Sequence, residues 1–374
     1  MQRADEVKAK LESLRAWLDH SDLDAALITS QDGFAWVTGG GDNTVTLAAE
    51  AGAASVLVTR EDAYLLAANN ELRRLVDEQA AGAGLTPVDW AWHEAEGESR
   101  IVERLCDPAR SVSDLGRLGL PAAPPDMIEL RFTLVAPEVE RYRALGADTA
   151  EAVEVAVMAA CPGDREIDIA ARLVHECGRR GIAPLVTLVG ADERIVQHRH
   201  PLPSGRRLAR TLLVSLSGRR HGLHASLTRM AHFGGRSSGP APADLDLASR
   251  FAAVRRIDAR LIAESGAGAL LGDVFEHGVD QYQREGFATE WQLHHQGGLT
   301  GYAGREVFAT PSSRHVLRPG QAVAWNPTIP GVKSEDTILV GTETHEVLTA
   351  TPVWPCELVE VAGATVARPN LLVR

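Results

Sequence analysis

Residues 290–306 read E-W-Q-L-H-H-Q-G-G-L-T-G-Y-A-G-R-E; after a spacer come A-W-N-P at 324–327 and K-S-E-D-T-I-L-V at 333–340. The stretch gathers His294, His295, Arg305, Glu306, Glu335 and Asp336 around a glycine-rich turn and two strand-like apolar runs. Imidazoles that titrate near neutrality, carboxylates and a two-donor guanidinium fork are the groups that hold metals, move protons or grip carboxylates.

The rest of the composition narrows the class. A chain of 374 residues can bury roughly three quarters of its unfolded surface and is expected to form two domains. Apolar residues at 45% and charged ones at 24% are ordinary for a globular protein. A net charge of −12 argues against a nucleic-acid partner, which needs a basic footprint. The start, Met-Gln-Arg-Ala-Asp-Glu-Val-Lys-Ala-Lys, has no apolar core of a secretory signal. No run approaches the ~18 apolar residues of a membrane span. Cys106, Cys161, Cys177 and Cys356 lack C-x-x-C spacing, so neither a zinc knuckle nor a disulfide framework is expected. These features predict a cytoplasmic protein with reduced thiols and no membrane or nucleic-acid partner.

Val7, Leu11, Leu14 and Leu18 recur at helical spacing and predict an opening amphipathic helix. A turn and strand from Asp22, strand-like runs at 33–38, 54–59 and 63–66, and helical patterns near 71–80 and 96–105 make a small α/β domain. Gly39-Gly-Gly41 has neither the Lys-Ser/Thr of a P-loop nor G-x-G-x-x-G spacing, so it reads as a turn. Prolines at 121–125 and the 131–137 segment mark a break, giving domains 1–133 and 134–374. Pro137 suits the first turn of a long helix reaching about residue 160, and Asp164 is a candidate N-cap for the next, ending at Gly181. Strands near 185–189, 211–217 and 222–233 and helices near 243–265 and 272–285 complete the pattern.

This arrangement resembles the creatinase/prolidase/methionine-aminopeptidase superfamily. The segments carrying the likeness are E-V-E-R-Y-R … P-G-D-R-E-I-D-I-A at 138–170, the 290–340 stretch and, more weakly, A-W-V-T-G-G at 35–40. The resemblance implies an α/β (α+β) chain: a small creatinase-type N-terminal mixed-sheet domain, then a pita-bread C-terminal domain. In the metallopeptidase members it implies two Asp, one His and two Glu holding two divalent metals.

Position by position, most of that set is missing. The run Leu212-Leu-Val-Ser-Leu-Ser-Gly-Arg-Arg-His-Gly-Leu-His-Ala-Ser-Leu-Thr-Arg matches a pattern whose two aspartates bind metal, and it places Ser215 and Ser226 there. A serine hydroxyl supplies neither the charge nor the second oxygen of a bridging carboxylate. Asn326, in Ala324-Trp-Asn-Pro, stands where relatives carry a glutamate. Only His294 and Glu335 remain, so no dinuclear metal centre and no cofactor is expected. His294 and His295 both fit the H-x-x-G spacing; the downstream Gly304-Arg305-Glu306 triplet, at its interval in creatinase-type members, favours His294.

What is left resembles the metal-free creatinase branch. There a histidine serves as acid/base, and the arginine of the Gly-Arg-Glu triplet binds the substrate carboxylate. Gln197-His-Arg-His-Pro-Leu-Pro-Ser supplies that histidine, with His200-Pro-Leu-Pro203-Ser204 fitting better than His198. His200, His294 and Glu335 are therefore the catalytic candidates. Arg305, Ser215, Ser226, Asn326, Glu306 and His224 are the binding candidates; His224 shares strand parity with Ser226. A nucleophilic Ser215 or Ser226 lacks a nucleophile elbow. Three functions stay open. The first is a metal-independent hydrolase or lyase acting on a C–N bond of a small carboxylate-bearing metabolite. The second is a non-catalytic ligand- or partner-binding protein, and the third an Xaa-Pro-type metallo-aminopeptidase. The resemblance also implies a homodimer whose N-terminal domains complete the sites, with polar and aromatic loops at 41–44 and 90–93 available for that contact.

Overall fold

The helical spacing of Val7, Leu11, Leu14 and Leu18 becomes the helix Arg3–His20, with all four side chains buried. The computed structural model describes residues 3–234 and 242–374, so the first two residues of the amino-terminal stretch lie outside the described ones. The chain forms two units. One comprises Met1–Arg141 and His221–Leu223, the other Tyr142–Arg220 and His224–Arg374. The division between the units falls within the helix Ala136–Met158.

In the first unit a mixed five-stranded sheet runs in the order Thr86–Trp90, Ala63–Ala68, Ala51–Thr59, Ala25–Ser30, Ser111–Ser113. Its core is built from Ala25, Leu27, Leu57, Leu66, Ile101, Val102 and Leu120. The strand expected at 33–38 is instead the helix Gln31–Val37. Phe34, Trp36 and Val37 favour a strand, but local hydrogen bonding overrides that weak preference. Ser30 caps the helix by accepting from Gly33 N at 2.9 Å, and the Asp114 carboxylate pins Thr29 N and Ser30 N. The helix expected over 71–80 is α-helical only at Asn69–Arg74 and becomes a π turn at Leu75–Gln79. Glu6 anchors the unit's polar interior: Arg141 grips both its oxygens at 2.6 and 2.9 Å, and Lys10 reaches it at 2.7 Å.

The second unit begins at Tyr142, within the helix Ala136–Met158, and continues with Glu166–Arg179. Asp164 is not the cap of the latter: Arg165 holds that position, while the Asp164 carboxylate accepts from Cys161 N. A four-stranded sheet runs Leu372–Val373, Leu223–His232, Thr211–Arg220, Ala183–Ala191. A five-stranded sheet runs Val307–Phe308, Gly297–Thr300, Ala322–Trp325, Asp336–Val340, His345–Val347. The two sheets meet where Thr228 pairs with Glu335 and where Ser226 N donates to Thr337 Oγ1. The helices Pro242–Glu264 and Leu271–Arg284 contact each other.

Gly297 and Gly298 let the strand Gly297–Thr300 lie close against both of its neighbours in the five-stranded sheet. Both have positive φ, and a Cβ would lie 2.0 Å from Ala324 O at the first and 2.1 Å from Val307 O at the second. Only glycine fits both demands. Behind the junction, Arg368 donates to Asp336 and Asp258, and Arg229 donates to the other Asp336 oxygen. All four residues are buried, so this paired network fixes the Ser334–Asp336 segment from below. Cys106, Cys161, Cys177 and Cys356 are free thiols. Among the described residues no helix is long and apolar enough to cross a membrane.

Candidate active site

A cavity of about 460 Å³ opens at the junction of the two sheets in the second unit. Val186, Leu188, Leu202, Leu216 and Phe308 form its apolar walls. Its polar surface includes His200, Ser215, Ser226, His295, Arg305, Asn326, Lys333 and Glu335. Alternation along Thr211–Arg220 places Ser215 and Ser217 on this face, and along Leu223–His232 it does the same for Ser226 and Thr228.

Glu335 is the centre of charge. Its Oε2 accepts from Thr228 Oγ1 at 2.7 Å and pairs with the Lys333 ammonium at 2.7 Å; its Oε1 lies 3.5 Å from Arg305. Burial alone would raise its pKa, but Lys333 and Arg305 overcome this and hold the carboxyl below its ordinary value. Lys333 also reaches Ser215 Oγ at 3.3 Å, and Ser215 is 2.6 Å from Thr228 Oγ1. Sequence reasoning had missed Lys333. The sequence signal is the spacing of two in the K-S-E-D run; Lys333 ends the short strand Val332–Lys333, and Glu335 follows as an isolated bridge to Thr228.

Arg305 donates to Gly304 O at 2.6 Å, and its Nε has no hydrogen-bond partner among the described residues. Burial lowers its pKa, against the opposing pull of Glu335. Asn326 Oδ1 is likewise buried without a partner and borders the cavity. Unsatisfied buried groups of this kind are costly, and a ligand's complementary groups satisfy them.

Three histidines converge at one side. His294 Nε2 and His200 Nε2 are 2.9 Å apart, and His295 stacks at a tilt on His294 with ring centroids 4.6 Å apart. Thr328 Oγ1 stands 3.4 Å from His294 Nδ1. Gln296 holds the turn by donating to His294 O, while its carbonyl side accepts from Tyr282 OH. Burial is the main cause of lowered pKa in all three rings; Lys333 adds repulsion at each, and Arg305 does so at His295. His294 falls to about 2, His295 to about 4, and His200 less far. The neutral ring is therefore favoured most strongly at His294 and least at His200.

The structure brings together His200, His294, Ser215, Ser226, Arg305, Asn326 and Glu335. Two other candidates stand back from the cavity. Glu306 turns its carboxylate onto Ala303 N at 3.0 Å, and His224 is bound through its backbone to Gly301 and to the hydroxyl of Tyr142. His198 is exposed and does not line the cavity. The two-metal centre that the resemblance implies does not fit these residues. Ser215, Ser226 and Asn326 are neutral, and an ammonium pairs with the carboxylate a metal would need.

Residues 140–342 match the family model for metallopeptidase family M24, and residues 10–120 that for the creatinase/prolidase N-terminal domain. No curated protein matches. Solved structures share the fold along nearly the whole chain. Dipeptidase PepE from Mycobacterium ulcerans aligns with TM-score 0.76 and 19% identity, covering 100% of this chain and 99% of that one. Xaa-Pro dipeptidase from Bacillus anthracis aligns with TM-score 0.75 and 19% identity, covering 98% and 100%. Prolidase from Pyrococcus horikoshii OT3 aligns with TM-score 0.74 and 17% identity, covering 92% and 98%. At these identities the likeness establishes the fold alone.

Proposed function

The chain belongs to metallopeptidase family M24, and from that membership and its altered donor set we propose a hydrolase of the creatinase type that works without the family's two metals. Its substrate is a small carboxylate-bearing molecule with a hydrolysable C–N bond. The observation carrying this reading is the Lys333 ammonium, 2.7 Å from Glu335, in the cluster where the resemblance puts metal ligands. One fixed monovalent cation replaces charge that two metals would bring.

The chemistry follows from the groups present. Arg305, with its unpartnered Nε, forks onto the substrate carboxylate. Asn326 Oδ1 accepts from the N–H of the scissile amide. His200 takes a proton from water as the new C–O bond forms, and returns it to the nitrogen as the C–N bond breaks. Lys333 offsets negative charge developing on the carbonyl oxygen. The balance is amide plus water giving carboxylic acid plus amine. Two cations in one cavity disfavour a guanidinium head group, so neutral N-acyl and N-carbamoyl acids suit the site better than guanidino acids.

A panel of N-acyl amino acids, N-carbamoyl amino acids, guanidino acids and Xaa-Pro dipeptides tests this, with products read by mass spectrometry. Hydrolysis of an acyl or carbamoyl acid is expected. Arg305→Lys should weaken binding of that compound by roughly 1.5–3 kcal/mol. Turnover of Xaa-Pro dipeptides alone would favour the aminopeptidase reading. Tight binding without turnover of any class would favour the non-catalytic one.

A further inference from the structure

The dinuclear centre does not fit, yet the same corner of the cavity holds a different donor set. We propose that His200, His294 and His295 form a site for a single Zn²⁺ ion.

The three residues each present a ring nitrogen, and these atoms all lie within 4.8 Å of one another. The closest pair is 2.9 Å apart. Two nitrogens each 2.0–2.1 Å from a tetrahedral zinc are separated by roughly 3.3 Å, so the spread brackets what the ion requires. His200 and His295 keep solvent access although their rings are partly desolvated, and both border the cavity, which gives the ion a path in. His294 is the fixed member: it is buried, with Thr328 Oγ1 beside Nδ1 and Nε2 turned to the cluster. A hydroxyl or carbonyl on the far nitrogen is how ligating imidazoles are commonly oriented.

The chemistry of the donors selects the ion. Three imidazoles suit zinc or another borderline transition metal, whereas manganese, magnesium and calcium prefer oxygen. Lys333 stands where a second ion would need carboxylates, so the stoichiometry is one. Lys333 and Arg305 repel a dication while Glu335 attracts it, which weakens the affinity. Zinc on His200 Nε2 removes that nitrogen from proton transfer. If the hydrolase reading above holds, the ion is therefore an inhibitor; the binding itself does not depend on that reading.

The test is isothermal titration of chelator-stripped full-length protein with Zn²⁺, paired with the visible spectrum of its Co²⁺ form. One equivalent is expected, with tetrahedral cobalt bands. His200→Ala and His295→Ala should each weaken binding by at least about tenfold. The neighbouring His198→Ala should leave it unchanged. Circular dichroism checks that each variant is folded, and His295→Gln serves if His295→Ala is not. No binding at millimolar zinc would overturn the proposal. So would two equivalents, or one equivalent indifferent to both histidine variants. None of these results bears on hydrolysis by stripped protein, so the two readings fail separately.

Discussion

Replacing Lys333 by Met removes the ammonium but keeps an unbranched chain of similar length. Lys333 and Glu335 are 4% and 6% exposed and 2.7 Å apart, so the change strands a carboxylate in the interior. Breaking a buried pair from one side costs about 3–5 kcal/mol. Glu335 would retain Arg305 at 3.5 Å and the Thr228 hydroxyl at 2.7 Å, which puts the expected loss at the lower end. A loss of about 3 kcal/mol in a unit of this size lowers Tm by about 6–12 °C. Urea unfolding and calorimetry of Lys333→Met, Glu335→Gln and the double variant close a double-mutant cycle. The coupling expected between the two side chains is about 2 kcal/mol. A single-variant loss below about 0.5 kcal/mol, the scale of an exposed pair, with no coupling would refute the idea that Lys333 neutralises the site.

Three further outcomes follow from other parts of the molecule. Burial would raise the pKa of Glu6, but Arg141 and Lys10 bring it down from 4.5 to about 2. The ionised pair therefore contributes about 3 kcal/mol above pH 4.5, lost as pH falls toward 2; Glu6→Gln should flatten that part of the acid-unfolding curve. Gly298→Ala should destabilise the second unit by at least about 2 kcal/mol, read by calorimetry, because φ is positive and Val307 O is 2.1 Å from the added Cβ. Val45, Leu47 and Trp92 are each at least 60% exposed in the first unit. We propose that these loops serve a homodimer, and light scattering should then give about twice the 40.1 kDa chain mass.

How far the sequence could be read depended on the range of the forces involved. Helices and strands of the second unit follow apolar periodicity, and periodicity survives in a single chain, so Thr211–Arg220 and Leu223–His232 were legible with their serines. The segment from Gln31 to Val37 was not. Its strand-forming side chains were outweighed by Ser30 and by Asp114, which lies more than eighty residues away. Arg305, Asn326 and His200 came from motif spacing and do meet at the cavity. Glu306 and His224 came from adjacency and parity, which do not specify where a turn directs a carboxylate or how deep a strand end lies. Lys333 belongs to no ligand motif, so a set of metal-ligand positions does not point to it. The spacing of two between Lys333 and Glu335 is nevertheless present in the sequence.

The central claim is that this member of the M24 family hydrolyses its substrate without two metals. Its most direct test is turnover of the acyl and carbamoyl acid panel by protein stripped with a chelator and checked by elemental analysis. The account predicts that protein with well under one metal per chain hydrolyses the substrate as fast as untreated protein, or faster. Two equivalents of zinc, manganese or cobalt in the untreated protein, with activity lost on their removal and restored by their return, would contradict it.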